Sequence, residues 1–170
     1  NGAGWTAYFS PTIFAPANCV AVKVAIGEWF DDWFPGPLHR FGPISRWDVS
    51  RCTNFDWLFE WLTIGGGRNY DAVAYGVGDW DTALVTSMVS TFAFSRVVGS
   101  NFGAWSLSSC TDTSQMFQGA REFAPATNLA GWDLSQVTAM ARMFFGAITV
   151  NAVGLTNCAT SHVSAPSLIP

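Results

Sequence analysis

Three aspartates each follow a tryptophan, at Asp48, Asp81 and Asp133. Carboxylates repeated in this way could gather a hard cation such as calcium, which favours clustered oxygen ligands. Alternatively, each could accept backbone N–H bonds inside its own turn. Ser106 takes the same place beside Trp105 and interrupts the row, which favours the local role. The four cysteines, Cys19, Cys52, Cys110 and Cys158, contain no CxxC pair, and His39 and His162 are far apart, so no metal site is expected. Both histidines read as exposed loop residues. The run Gly65-Gly66-Gly67 lacks the lysine motif of a phosphate-cradling loop and reads as a flexible bulge. Two histidines and scattered carboxylates supply no nucleophile with its base and orienting group. The chain is therefore expected to hold no catalytic residue and no cofactor.

The elements that carry these residues recur. Trp47, Trp80, Trp105 and Trp132 are spaced by 33, 25 and 27 residues, and aligning on them brings their neighbours into register. The four segments are ISRWDVSRCTNFDWLF, VGDWDTALVTSMVSTF, FGAWSLSSCTDTSQMF and LAGWDLSQVTAMARMF. Three places before each Trp stands Ile44, Val77, Phe102 or Leu129. Five after it stands Cys52, Val85, Cys110 or Val137. Six after it is always threonine (Thr53, Thr86, Thr111, Thr138), and twelve after it always phenylalanine (Phe59, Phe92, Phe117, Phe144). A degenerate fifth copy puts Cys158 in the tryptophan column and ends at Pro166, a half-repeat that would close the stack.

Apolar and polar residues alternate around each Trp, the pattern of a short strand with one buried face. Beyond the threonine, apolar residues return at helical spacing, as at Met140, Met143, Phe144 and Ala147, with the threonine placed as helix cap. One such unit cannot bury its own apolar side, whereas stacked units can. The expected fold is an α/β solenoid of about four and a half short strand–helix repeats with an N-terminal capping helix. Residues 1–17 read as an irregular arm. Residues 18–43 read as the capping helix and a Pro-rich lead-in, with Asn18 as cap and Val20, Val24 and Trp29 in helical register. Residues 44–164 form the repeats, with strands near 44–49, 77–82, 102–107, 129–134 and 155–160, and 165–170 are a tail.

The pattern W-D-x-S-x-V-T-x-M-x-x-M-F-x-x-A, seen in full at residues 132–147, resembles the BspA-like leucine-rich-repeat surface proteins. The lead-in CVAVKVAIGEWF followed by FGPISRWDVS resembles the same family, and the likeness covers roughly residues 19–164. It implies a leucine-rich-repeat-like stack and a role in adhesion or protein binding, with no catalytic residues to carry over. The chain departs from the pattern at Val98-Gly99, at Phe55 and Thr113, which replace Met, and at Cys52 and Cys110, which replace Val.

In this register Cys52 and Cys110 lie two rungs apart, about 10 Å, beyond the ~7 Å limit between Cα atoms for a disulfide. Both read as core thiols. Cys19, on the capping helix, could reach Cys52 on the first rung. Arg46, Asp79, Ala104 and Gly131 precede the tryptophans, and Asp48, Asp81, Ser106 and Asp133 follow them. These eight residues form a candidate partner-binding face, with Arg46 and Asp79 able to pair across neighbouring rungs. Trp57 and Trp61, four apart on the first predicted helix, form a candidate exposed aromatic pair.

Composition narrows the function. Hydrophobic residues make up 49% of the 170 and charged residues 12%, which excludes a disordered chain and leaves little charge to cover the outside. Net charge is -4 with one lysine, Lys23, so neither a nucleic-acid face nor a polybasic membrane patch is expected. No apolar run reaches the length of a spanning helix. A start at Asn1 rather than Met points to export, a cell-surface location or organelle import over the cytosol. The resulting expectation is a non-enzymatic protein-binding or scaffold module. It would be an accessory subunit of a larger assembly, for instance an algal photosynthetic complex, or an exported surface protein. Adhesion, or binding of a small ligand (pigment or sugar) by exposed aromatics, is the alternative.

Overall fold

The computed structural model describes residues 13–31, 40–60, 76–95, 102–120, 129 and 131–147. The expected fifth copy, Trp61, Gly65–Gly67, Cys158 and both histidines lie outside them.

One α-helix is present among these residues, α1, Cys19–Asp31. Asn18 caps it, its Oδ1 accepting the Ala21 N–H at 3.0 Å. Its buried side is Val22, Ala25, Ile26 and Trp29. Val20 and Val24, expected to share the register of Trp29, lie on the opposite, exposed side.

The rest is a stack of four rungs built from tight turns, and it corrects the expected α/β solenoid. Among the described residues there is no β-strand, and no helix follows any threonine. Neighbouring rungs meet at isolated parallel bridges, Asn54 to Ser87, Ser87 to Asp112 and Asp112 to Ala139. Where strands were expected, the chain curls. The Trp80 N–H donates to the Val77 carbonyl at 3.1 Å, and Trp47, Trp105 and Trp132 repeat this bond with Ile44, Phe102 and Leu129. At Ile44–Arg46 and Val77–Asp79 the curl is a turn of 3₁₀-helix.

Where helices were expected, the backbone reverses hand. Trp57, Ser90, Gln115 and Arg142, ten places after each Trp, have φ between 53° and 58°. Phe94, Gly119 and Gly146, fourteen places after it, are also left-handed. A left-handed residue cannot sit inside an α-helix. Successive turns result instead, and alternate amides are freed to bridge rungs. Met88, Ser90, Phe92 and Phe94 donate to the carbonyls of Asp112, Ser114, Met116 and Gln118 at 2.7–3.0 Å. The amides of Thr113, Gln115, Phe117 and Gly119 repeat the pattern to the fourth rung. The amides between them close turns three residues back, as from Ala93 to Ser90.

The side chains stack in the same register. Phe59, Phe92, Phe117 and Phe144 form a column of near-parallel rings, with centroids 5.0, 5.5 and 5.5 Å apart. Trp47 stacks on Trp80 at 6.3 Å, and Phe55 sets its edge against Trp80 and Trp105. All four repeat tryptophans belong to one hydrophobic core.

Candidate partner-binding face

Each tryptophan is pinned inward at two points, by core packing and by its ring nitrogen. Nε1 of Trp80, Trp105 and Trp132 donates to the carbonyl of Ile44, Val77 and Phe102, three places before the Trp of the preceding rung, at 2.8–3.0 Å. With the indole fixed inside, the residues on either side of it turn outward. Arg46, Asp79, Ala104 and Gly131 are exposed, as are Asp48, Asp81 and Asp133, with Ser106 half-buried. The eight therefore lie in two rows that flank a buried indole row. Of the five charged members, four are carboxylates and one is a guanidinium. No ion pair joins Arg46 to Asp79 among the described residues.

The aspartates serve their own turns. Asp48 Oδ1 accepts the Ser50 hydroxyl at 2.6 Å and its N–H at 3.1 Å. Asp81 Oδ1 takes the Ala83 N–H at 3.0 Å and Asp133 Oδ1 the Ser135 N–H at 2.9 Å. The Ser50 hydroxyl and N–H, helped by the Arg51 charge, hold the Asp48 carboxyl below the usual range. The Ser135 N–H lowers that of Asp133. Among the described residues no group of three or more His, Cys, Asp or Glu could hold a metal ion.

Gly131 keeps its part of the face flat for a steric reason. A Cβ there would lie 3.1 Å from the Gly103 carbonyl oxygen of the rung before.

The helix expected to carry Trp57 and Trp61 is absent over residues 56–60, which run through turns and bends with Trp57 left-handed, and Trp61 lies outside the described residues. Trp57 itself is 47% exposed, with the Lys23 ammonium 5.8 Å from its ring centroid.

The threonine column does a job that its helix-cap reading missed. Both the N–H and the hydroxyl of Thr86 donate to the Thr53 carbonyl, at 2.8 and 2.9 Å. Thr111 repeats this on Thr86, and Thr138 on Thr111. Thr53 is the first of its column, and Cys19 Sγ takes the place of a preceding threonine carbonyl, accepting the Thr53 N–H at 3.1 Å. The Phe41 carbonyl likewise stands in for a preceding rung, receiving the Trp47 Nε1 at 3.0 Å. The Phe14 carbonyl adds a bond without counterpart among the described residues of the later rungs, accepting the Asp48 N–H at 2.9 Å.

Asp56 went unnoticed because its column does not repeat. Its Oδ1 takes the Ser87 hydroxyl at 2.5 Å and the Val89 N–H at 2.8 Å, tying the first rung to the second. The cysteines of the described residues, Cys19, Cys52 and Cys110, are free thiols. Burial pushes the Cys110 thiol up to about 11. Burial, and then the hydrogen bond to Cys19, raises that of Cys52.

Among the described residues no helix is long and apolar enough to cross a membrane. A family model described as "Mycoplasma protein of unknown function, DUF285" matches residues 39–158. No curated protein and no solved structure matches the chain.

Proposed function

For a chain that belongs to this DUF285 family of mycoplasma proteins of unknown function, we propose the role of a non-enzymatic protein-binding module with kinship to the BspA-like surface proteins. It acts as an accessory subunit of a larger assembly, an algal photosynthetic complex being one example, or as an exported surface protein. One observation carries this reading: two exposed rows, from Arg46 and Asp48 to Gly131 and Asp133, flank indoles that are each fixed in place. Rigid rows at a regular rise present a pre-organised surface, which lowers the cost of binding. Four carboxylates against one guanidinium favour a basic partner surface.

The test is the size of the protein in a gently prepared native extract, combined with carboxyl-directed cross-linking. Co-migration with a larger particle, with cross-links from Asp79 or Asp81, supports the reading. A free monomer in every extract defeats the subunit role, and Asp79→Lys/Asp81→Lys with unchanged partner binding defeats the face. Adhesion, or binding of a pigment or sugar, is a second reading, favoured only by the exposed Trp57 ring. Trp57→Ala would abolish ligand retention in that case and leave partner binding intact.

A further inference from the structure

We propose that Cys19 and Cys52 form an oxidisable pair whose disulfide fastens α1 to the first rung. The two sulfurs are brought together by the way α1 closes the threonine column. Cys19 Sγ lies 3.1 Å from the amide nitrogen of Thr53, the residue bonded to Cys52, and 3.4 Å from that of Asn54. The nearness of Cys19 also contributes, after burial, to raising the Cys52 thiol. Both cysteines are free, so the pair is poised in its reduced form. Elsewhere in the stack a threonine carbonyl takes the place of Cys19 Sγ, a joint with no covalent option.

The two thiols differ in access, and that sets the order of events. Cys19 is half-buried, whereas Cys52 is 1% exposed and burial keeps it protonated. The oxidant is a small exchangeable disulfide such as oxidised glutathione. The Cys19 thiolate attacks one of its sulfurs, forming a mixed disulfide and releasing one glutathione thiolate. Cys52, giving up its proton as it reacts, then attacks the Cys19 sulfur, forming the Cys19–Cys52 bond and releasing the second. The two protons lost by the cysteines end on the two glutathione thiols. Two protein thiols are oxidised and one glutathione disulfide is reduced. The loop closed is the 33-residue step from Cys19 to Cys52, long enough for the link to restrict the unfolded chain substantially. An oxidising compartment would therefore hold the N-terminal end of the stack shut, and a reducing one would leave it to packing and hydrogen bonds.

The experiment treats the full, folded, reduced chain with oxidised glutathione and maps disulfides by mass spectrometry after non-reducing proteolysis. The expected product is lighter by two hydrogens and yields a linked Cys19–Cys52 peptide. Its Tm should rise by roughly 5–10 °C, reversed by dithiothreitol. Cys110→Val should still form the link. Cys52→Val, which installs the residue of the same column at Val85 and Val137, should stop at a glutathione adduct on Cys19. A wild-type chain that stops at that adduct, links Cys19 to Cys158 instead, or gains the link without a rise in Tm overturns the proposal. Because wild type is read directly, a variant that fails to fold leaves the answer intact. The result is also independent of any partner on the exposed rows.

Discussion

A buried indole N–H must find an acceptor, and for Trp80, Trp105 and Trp132 that acceptor belongs to the preceding rung. Trp105→Phe keeps most of the ring volume but removes the 3.0 Å bond to the Val77 carbonyl. We expect a loss of about 1–3 kcal/mol in urea unfolding, from the lost bond plus a small void. A loss near zero would show that the indole contributes bulk alone. Asp48 supplies a smaller, pH-dependent test. Its folded carboxyl titrates below the unfolded value of about 3.9, so its contribution is present above that pH and disappears as pH falls through the folded value. The group is exposed, so solvent screening holds the effect to roughly a few tenths of a kcal/mol. Asp48→Asn can still accept the Ser50 N–H but does not titrate. Its stability should fall less steeply than wild type below about pH 4, and parallel curves would reject the assignment.

At the level of the turn, the left-handed position ten places after each Trp is occupied by Trp57, Ser90, Gln115 and Arg142, none of them glycine. Arg142 is exposed, so its backbone can be tested with little disturbance to packing. Arg142→Gly should stabilise the protein by about 0.5–1 kcal/mol, while Arg142→Ile, branched at Cβ, should destabilise it by about 1–2 kcal/mol. Equal stability of the two would mean that the turn is not held left-handed in solution. These same residues explain why the element was misread. Glycine is the ordinary signal for positive φ, but Arg142 holds the left-handed position between Met140 and Met143, so that those two and Phe144 look like a helical stripe. Turns closing every few residues bury side chains at much the same spacing. The strand reading failed for a related reason: a 3₁₀ turn also hides Ile44 and Trp47 while exposing Arg46. The repeat register itself was readable, because Trp, Thr and Phe each fill one inter-rung role and substitution is costly. α1 was readable through Asn18. The exposed rows were readable because they flank the Trp column, whereas Asp56 sits in a column without a pattern.

Across the whole molecule the rungs share one core, and each inner rung is bonded on both sides. Amides that open only when the stack unfolds should therefore belong to the second and third rungs. We expect the slowest native-state hydrogen exchange at Phe92 and Phe117, with faster exchange at Val22 on α1. Uniform rates throughout, or slowest exchange on α1, would contradict a stack held from its middle. The seams also carry a lesson about how such a chain can grow. Every joint between rungs uses the same three fittings: an indole reaching back, a threonine reaching back and a row of amides reaching on. A copied unit inserted whole would find both neighbours already shaped for it, while a fragment of a unit would break the match on each side. The length of this architecture is thus counted in whole storeys, and the unequal 33-, 25- and 27-residue intervals are taken up in the stretches between them, outside the sixteen-residue segments that must coincide.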